Sequence, residues 1–169
     1  MTGRGESRAQ TAVCVLAEAD LSIGCAESLT AGWLAGTIAN VPGASTVLRG
    51  GVVAYATDVK KELLGVDGDL LRRNGAVDPQ VARQMATGVC RVLRCDVGLA
   101  TTGVAGPTEQ DGHRVGEVHI AVAWPAKAVV EVRTLDLDGD RTAIRQGAVL
   151  AAINLLIATL ADQADPRRG

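Results

Sequence analysis

The chain has 169 residues, which fits one domain, because domains commonly run to about 100 to 200 residues. Its formal net charge of -2 excludes a general nucleic-acid binder, since such proteins neutralise phosphates with clustered Lys and Arg. Hydrophobic residues make up 47% of the chain but include no Phe, so the composition predicts a core of Ala, Val, Leu and Ile.

The first part of the chain alternates between helical and strand patterns. Residues 1–8 are polar and predict a disordered tail, whereas residues 9–19 carry apolar side chains at helical spacing. Residues 21–26 form a short apolar run and predict a strand. The Ala-rich residues 30–39 predict a helix, and residues 48–56, entered through a pair of glycines, predict a second strand.

The middle of the chain contains the clearest helix. Residues 57–64 predict a helix that stops at a glycine, and residues 70–74 predict a further short helical turn. Asp78 resembles an N-cap followed by Pro at the first helical position, and apolar residues recur on one face of residues 79–94. The apolar residues 96–102 predict a third, buried strand.

The last part of the chain completes the sheet. Residues 116–124 and 129–137 are separated by a short turn and predict a hairpin, and residues 141–160 predict a final helix. Together with the preceding elements they predict an α/β domain over residues 9–161, a three-layer α/β/α sandwich with a mixed sheet of about five strands. Residues 162–169 predict a polar tail.

Cysteine, histidine and apolar patterns indicate the compartment. We expect no apolar run to be long enough to cross a bilayer, and the polar start does not resemble a signal peptide, so we predict a cytoplasmic protein. His113 and His119 are isolated in the sequence and predict no metal site. We interpret the cysteines as buried thiols without disulfides; they are Cys14, Cys25, Cys90 and Cys95.

The candidate chemistry begins at Glu27-Ser28, where an apolar strand is followed by a helix. A hydroxyl at such a turn can be presented as a nucleophile, although Ser is also a preferred helix cap, and the local pattern alone favours the cap. A serine nucleophile needs a base, and Lys60 is a candidate. Parallel strands would bring Tyr55 and Lys60 to the same edge of the sheet as Ser28.

Two further segments could bind an anion. The segment from Thr102 through Gly103 and Gly106 leaves the third strand through small residues, so its amides can approach an anionic group closely, or it can be a simple flexible turn. Arg141 and Arg145 lie one turn apart at the start of the last helix. Without further information an exposed helix face is the commoner use of such arginines.

Taken together, these motifs resemble the C-terminal domain family of the competence and damage-inducible protein CinA. The resemblance covers residues 21–160 and rests on several separated motifs in one order. They are Ala26-Glu27-Ser28-Leu29-Thr30, Pro42-Gly43, Arg49-Gly50-Gly51-Val52-Val53-Ala54-Tyr55, Lys60, Gly75-Ala76-Val77, Thr102-Gly103-Val104-Ala105-Gly106-Pro107, Val115-Gly116, and Gly139-Asp140-Arg141 with Arg145.

The resemblance implies a nicotinamide mononucleotide deamidase, an amidohydrolase of pyridine nucleotide salvage that needs no cofactor. It implies Ser28 as the nucleophile, Lys60 and Tyr55 as proton-transfer partners, and Thr102 beside the reacting group. Glu27 would orient this cluster. The implied substrate-binding residues are Glu27, Thr30, Gly103, Gly106, Arg141 and Arg145, the last four holding the phosphate and ribose.

The sequence also departs from the family pattern. Ala31 stands where a glycine is common, Asp78 replaces the usual serine, and the loop 108–114 lacks the customary paired glycines and ends in Arg114 instead of proline. These departures keep a second interpretation open, a nucleotide-binding or regulatory module without catalysis. A competence or recombination accessory protein is a third. We expect a stand-alone domain that forms a homo-oligomer, with a dimer favoured.

Overall fold

The computed structural model describes residues 3–164. Its helices are α1 (Gly3–Glu18), α2 (Trp33–Ala39), α3 (Thr57–Leu64), α4 (Gly68–Asn74), α5 (Pro79–Leu93) and α6 (Arg141–Ala164). Its strands are β1 (Ile23–Glu27), β2 (Leu48–Val53), β3 (Val97–Gly103), β4 (Glu117–Trp124) and β5 (Val129–Asp136). Each element that the sequence predicts is present.

The strands form one five-stranded mixed sheet in the order β2-β1-β3-β4-β5. Strand β1 lies between β2 and β3 and is parallel to both. The pairs β3–β4 and β4–β5 are antiparallel, and the second pair is the predicted hairpin. The three neighbouring parallel strands therefore end at one edge of the sheet.

Helices cover both faces of this sheet, which confirms the predicted α/β/α sandwich. One apolar cluster joins a face of the sheet to α1, α2 and α6, and a second joins the other face to α3, α4 and α5. The buried residues of both clusters are almost entirely aliphatic, as the composition predicts. Small aliphatic side chains let the layers pack closely.

The predicted signals at two helix ends are confirmed. The Asp78 carboxylate accepts hydrogen bonds from the Gln80 and Val81 N–H groups, and Pro79 occupies the first turn of α5. Helix α3 ends at Gly65, whose φ of 70° lies in the left-handed region that glycine tolerates.

Several element boundaries differ from the sequence prediction. Helix α1 begins at Gly3, so residues 3–8 are helical and not a disordered tail, and Arg8 donates a hydrogen bond of 2.6 Å to Asn154 on α6. Helix α6 continues to Ala164 and takes in residues 162–164 of the predicted polar tail. The remainder of both predicted tails lies outside the described residues.

Helix α2 begins at Trp33 and not at residue 30, because the turn before it is not helical. Ala31 has a φ of 48° and Gly32 a φ of 91°, and both values lie in the left-handed region. Strand β2 ends at Val53 rather than at residue 56. Each difference lengthens the connection that follows β1 or β2 at the edge of the sheet.

Helix α6 corrects the expectation that no segment is long and apolar enough to cross a membrane. Its length and composition would be sufficient to cross a membrane, but half of its apolar stretch is buried inside the domain. Its Ile144, Ala148 and Ile153 belong to the apolar cluster shared with the sheet. This packing accounts for the apolar character of α6 as a core helix.

The cysteines are free thiols, but they are not all buried. Cys25 and Cys90 are buried, Cys14 is exposed on α1, and Cys95 is partly exposed after α5. The prediction of a buried thiol is therefore wrong for Cys14, since the apolar face of α1 is supplied by its neighbours Ala12 and Val13.

Candidate active site

A cavity of about 240 Å³ lies at the edge where the three parallel strands end. Ser28 follows β1, Tyr55 and Lys60 follow β2, and Thr102 lies near the end of β3, so the topology brings these predicted residues together. The residues that line the cavity are Ser28, Leu29, Tyr55, Lys60, Ala76, Val77, Thr102, Gly103, Val104, Ala105, Gly106, Thr108, Glu109, Gln110 and Arg141.

The side chains of Ser28 and Lys60 are in direct contact. The Lys60 Nζ lies 3.0 Å from the Ser28 Oγ, and it also donates to the backbone oxygens of Ala54 at 2.8 Å and Tyr55 at 3.1 Å. A neutral amine has two N–H donors and one lone pair. With both N–H groups directed at the carbonyls, the lone pair of neutral Lys60 can accept the Ser28 proton.

The environment of Lys60 favours this neutral form. Its side chain is only 1% exposed, and burial lowers the pKa of Lys60 from 10.5 to about 8. Burial acts in this direction because the ammonium loses hydration that the amine does not need. Lys60 can therefore act as a general base in neutral to mildly alkaline solution.

The Glu27 carboxylate shapes the turn that presents Ser28. It is fully buried and accepts hydrogen bonds from the N–H groups of Gly32 at 2.9 Å, Leu34 at 3.0 Å and Ala35 at 2.8 Å. Glu27 thus satisfies the free amides at the start of α2, and Ser28 does not have to serve as the helix cap. Glu27 lies beneath the turn and is not part of the cavity lining.

Thr30 and Arg145 also hold the turn that presents Ser28. The Thr30 hydroxyl lies 2.7 Å from the Thr101 hydroxyl. Arg145 donates to the backbone oxygens of Leu29 and Thr30, both at 2.9 Å, and its guanidinium stacks over the Trp33 ring at 3.6 Å. Neither Thr30 nor Arg145 lines the cavity, so the structure does not bring these two predicted substrate-binding residues into it.

Sequence reasoning missed Thr101 and Trp33 as supports of the site. Trp33 could have been found from its rarity, because the chain has only two Trp residues and this one lies five residues after Ser28. No local signal identifies Thr101, since it is one more residue of an apolar strand. Its contact with Thr30 exists only because β1 and β3 are neighbours.

Thr102 and Gly103 line the cavity at the end of β3. The Thr102 hydroxyl donates to the Ala76 carbonyl at 2.7 Å, which orients the oxygen lone pairs for another contact. Gly103 has a φ of 153°, and a Cβ at this position would lie 2.5 Å from the Glu117 carbonyl. Only glycine allows β3 and β4 to approach so closely here.

Arg141 joins two sides of the cavity mouth. Its guanidinium donates to the Gly106 carbonyl at 2.7 Å and to the Tyr55 hydroxyl at 2.9 Å. The Tyr55 side chain is 56% exposed and contacts Arg141, while it is the Tyr55 backbone oxygen that contacts Lys60. Of the two predicted proton-transfer partners, only Lys60 touches Ser28.

Several residues that line the cavity have a backbone N–H group with no acceptor in the described part of the chain. These groups belong to Leu29, directly after Ser28, and to Ala105 and Gly106 in the turn after β3. Unpaired amides at a cavity wall can stabilise an oxyanion or a bound anion. The site thus combines a serine, a buried amine and free backbone donors.

A family model for the CinA C-terminal domain matches residues 5–160, which are most of the chain. The chain belongs to the CinA C-terminal domain family. A CinA-like protein of Frankia casuarinae is 45% identical over 159 residues, which are 94% of this chain and 36% of the relative. A putative competence-damage inducible protein of Desulforamulus reducens is 47% identical over 141 residues, or 83% of this chain and 34% of the relative.

Solved structures of the CinA superfamily share the fold. The competence/damage inducible protein CihA from Agrobacterium tumefaciens is 34% identical with a TM-score of 0.89, covering 94% of this chain and 96% of that one. The CinA superfamily protein ECK1530/EC0983 from Escherichia coli is 28% identical with a TM-score of 0.87, covering 94% of this chain and 93% of that one. By contrast, the chain spans about a third of the length of the curated relatives named above.

The loop in which this CinA-family domain departs from the expected pattern forms one wall of the cavity. Thr108, Glu109 and Gln110 line the cavity, and Gln110 exchanges backbone hydrogen bonds with His113. The loop therefore presents side chains, including a carboxylate, where paired glycines would present only backbone.

The two histidines, which are separated in the sequence, both lie close to Glu117. The Glu117 carboxylate lies 2.9 Å from His113 Nδ1 and 3.4 Å from His119 Nε2. His119 is buried, its Nδ1 contacts the Thr134 hydroxyl, and burial is the main cause that lowers its pKa. Within residues 3–164, no three Cys, His, Asp or Glu side chains are grouped in a way that could hold a metal ion.

Proposed function

We propose that this domain hydrolyses the carboxamide of nicotinamide mononucleotide to nicotinic acid mononucleotide and ammonia. The observation that carries the proposal is the 3.0 Å contact between the Ser28 Oγ and the buried Lys60 Nζ at the base of a solvent-open cavity. A serine paired with a lysine of lowered pKa is an arrangement suited to nucleophilic acyl transfer. Resemblance to the family supplies the substrate.

In the first step, Lys60 accepts the Ser28 proton while the Ser28 Oγ attacks the amide carbon. The carbonyl oxygen gains the negative charge and accepts a hydrogen bond from the free Leu29 N–H, the amide that directly follows the nucleophile. The Ala54 and Tyr55 carbonyls, which already accept from Nζ, stabilise the ammonium that forms on Lys60.

In the second step, the Lys60 ammonium returns a proton to the amide nitrogen, the C–N bond breaks, and ammonia leaves. An ester between Ser28 and the nicotinoyl group remains. Lys60, neutral again, then removes a proton from water, and the hydroxide attacks the ester carbon. The Ser28–acyl bond breaks, Ser28 regains its proton from Lys60, and the carboxylate product leaves. No metal or cofactor is needed to balance these steps.

The phosphate and ribose would lie toward the cavity mouth. Arg141 lines this region and carries a positive charge, and the Ala105 and Gly106 N–H groups are free to donate. Glu27, Thr30 and Arg145, which the resemblance places among the substrate-binding residues, support the turn beneath the reacting group through their contacts. We also propose a cytoplasmic homodimer as the working form.

The test is hydrolysis of nicotinamide mononucleotide by the purified protein, with ammonia and nicotinic acid mononucleotide measured together. Ser28→Ala should reduce the rate by about 10⁴-fold or more, because the nucleophile is lost. Ser45→Ala, which changes an exposed serine away from the cavity, should keep the wild-type rate.

Each other result has a defined meaning. Nucleotide binding without either product would favour the non-catalytic module, for which the altered loop 108–114 is the motivation. Full activity in Ser28→Ala would exclude the covalent mechanism. If the protein neither binds nor hydrolyses nicotinamide mononucleotide, this nucleotide is excluded as its substrate. The competence accessory interpretation then remains.

A further inference from the structure

Two cysteines meet at the C-terminal end of α5, at the edge of the sheet opposite to the edge that carries Ser28. Helix α5 ends with Arg94 in the left-handed region, at a φ of 51°, and the Cys95 N–H donates to the Cys90 carbonyl at 3.1 Å. This bond joins residues five positions apart, and it is the wider-spaced of the two hydrogen bonds that define a Schellman helix end. Such an end folds the residue after the turn back onto the last helical turn, which places Cys95 against Cys90.

The sheet beneath this helix end has a hollow that holds both sulfur atoms. Gly24 on β1 and Gly98 on β3 are directly paired, so their missing side chains point to the same face about 5 Å apart. A Cβ on Gly98 would lie 2.8 Å from the Cys90 Sγ, and a Cβ on Gly24 would lie 2.8 Å from the Cys95 Sγ. The two thiols therefore occupy adjacent spaces over one pair of glycines.

We propose that Cys90 and Cys95 form a modification site, in which a peroxide oxidises the two thiols to an intramolecular disulfide. Cys95 is partly exposed, whereas Cys90 is only 6% exposed, so Cys95 meets the oxidant first. The mutual influence of the two neighbouring thiols lowers the pKa of Cys95 and raises that of Cys90, which agrees with this order.

The peroxide oxidises the two thiols in two steps. The Cys95 thiolate attacks one peroxide oxygen, the O–O bond breaks, and Cys95 becomes a sulfenic acid as hydroxide leaves. The Cys90 sulfur then attacks the Cys95 sulfur, the S–O bond breaks, and the departing hydroxide takes the Cys90 proton as water. The thiols lose two electrons together, and hydrogen peroxide is reduced to two molecules of water.

The other two cysteines are placed differently. Cys25 points to the opposite face of the sheet, where it belongs to the apolar cluster shared with α1, α2 and α6. Cys14 is exposed on α1. Cys14→Ser is therefore a matched control that removes an accessible thiol without changing the pair. The inference does not depend on the proposed function, because the pair lies at the far end of α5 from Ala76 and Val77 of the cavity.

The experiment treats the reduced full-length chain with a few equivalents of hydrogen peroxide, blocks free thiols with N-ethylmaleimide, and digests it with trypsin. Arg91 and Arg94 lie between the two cysteines, so trypsin separates them. We expect the peptides 84–91 and 95–114 to be joined by a disulfide in both wild type and Cys14→Ser. Both cysteines should lose maleimide labelling, and the mass of the chain should fall by two hydrogen atoms.

The variant Cys90→Ser tests the order of the steps. It should trap Cys95 as a sulfenic acid, which dimedone captures, whereas Cys95→Ser should give no adduct at Cys90. Full labelling of Cys90 and Cys95 by maleimide after peroxide treatment would overturn the proposal. Accumulation of Cys95 sulfinic acid beside a free Cys90 thiol would overturn it as well, because it shows that Cys90 cannot reach the oxidised sulfur.

Discussion

At the scale of single residues, the site depends on how differently two adjacent lysines are placed. Lys60 is buried against Ser28, while Lys61 is exposed on the other side of α3. Burial lowers the pKa of Lys60, and the Ala54 and Tyr55 carbonyls fix the direction of its amine. In the proposed mechanism, the reactivity of Ser28 thus follows from the protonation state of one buried side chain.

We expect the rate of nicotinamide mononucleotide hydrolysis to rise with pH through about 8 and then to level off. Below that pH, protonated Lys60 has no lone pair to accept the Ser28 proton, so the rate should fall about tenfold per pH unit. Initial rates of ammonia release from pH 6 to 9.5 measure this profile.

Two variants separate the effect of Lys60 from general effects of pH. Lys61→Gln should keep the wild-type profile, because Lys61 is exposed. Lys60→Arg should be inactive at every pH, since a guanidinium does not deprotonate in this range. A wild-type rate that is independent of pH between 6.5 and 8.5 would contradict a role for Lys60 as the base.

At the scale of secondary-structure elements, close approaches between helices and strands explain several glycines better than helix propensity does. Gly88 lies in the middle of α5, where Ala would normally be preferred. A Cβ at Gly88 would clash with the backbone carbonyl of Leu64 at the end of α3. In contrast, nothing lies within 4 Å of the Cβ position of Gly36 in α2.

Gly88→Ala and Gly36→Ala should therefore change stability in opposite directions. We expect Gly88→Ala to lower the free energy of unfolding by about 1 to 3 kcal/mol, because α3 and α5 must move apart. Gly36→Ala should raise it by up to about 1 kcal/mol through helix propensity. Urea denaturation followed by circular dichroism measures both. A stabilised Gly88→Ala variant would mean that α3 and α5 are not packed as described.

At the scale of the whole molecule, the site is assembled from elements far apart in the sequence. Arg145 on α6 contacts the turn after β1 at Leu29 and Thr30, more than 110 residues away along the chain. The Trp33 ring stacks on the same guanidinium. Helix α6 thus fixes the position of the turn that carries Ser28.

Arg145→Ala should lower kcat by at least about tenfold with little change in KM, because the turn loses two hydrogen bonds that position the nucleophile. Trp33 fluorescence should change as well, while Arg133→Ala, at an exposed position on β5, should leave both properties unchanged. A raised KM with unchanged kcat would instead support the substrate-binding role implied by the resemblance. Urea denaturation of each variant checks that the fold is retained.

Much of the fold follows from local patterns that the sequence carries. The alternation of apolar runs, the Asp78-Pro79 start of α5 and the Gly65 end of α3 are short-range signals, and each predicted element is present. The boundaries were less well predicted where tertiary contacts decide them. Helix α1 extends before residue 9, where Arg8 contacts Asn154 on α6, and α2 begins late because Ala31 and Gly32 adopt left-handed backbone conformations.

The sequence by itself determined which residue types could react, and the order of the strand ends placed Ser28, Tyr55, Lys60 and Thr102 at one edge of the sheet. Only the tertiary structure decided what each side chain does there. Glu27 and Arg145 support the turn, the Tyr55 hydroxyl contacts Arg141, and Cys95 meets Cys90 over paired glycines. Burial, side-chain direction and long-range contacts decide such roles, and these properties arise only when distant segments pack together.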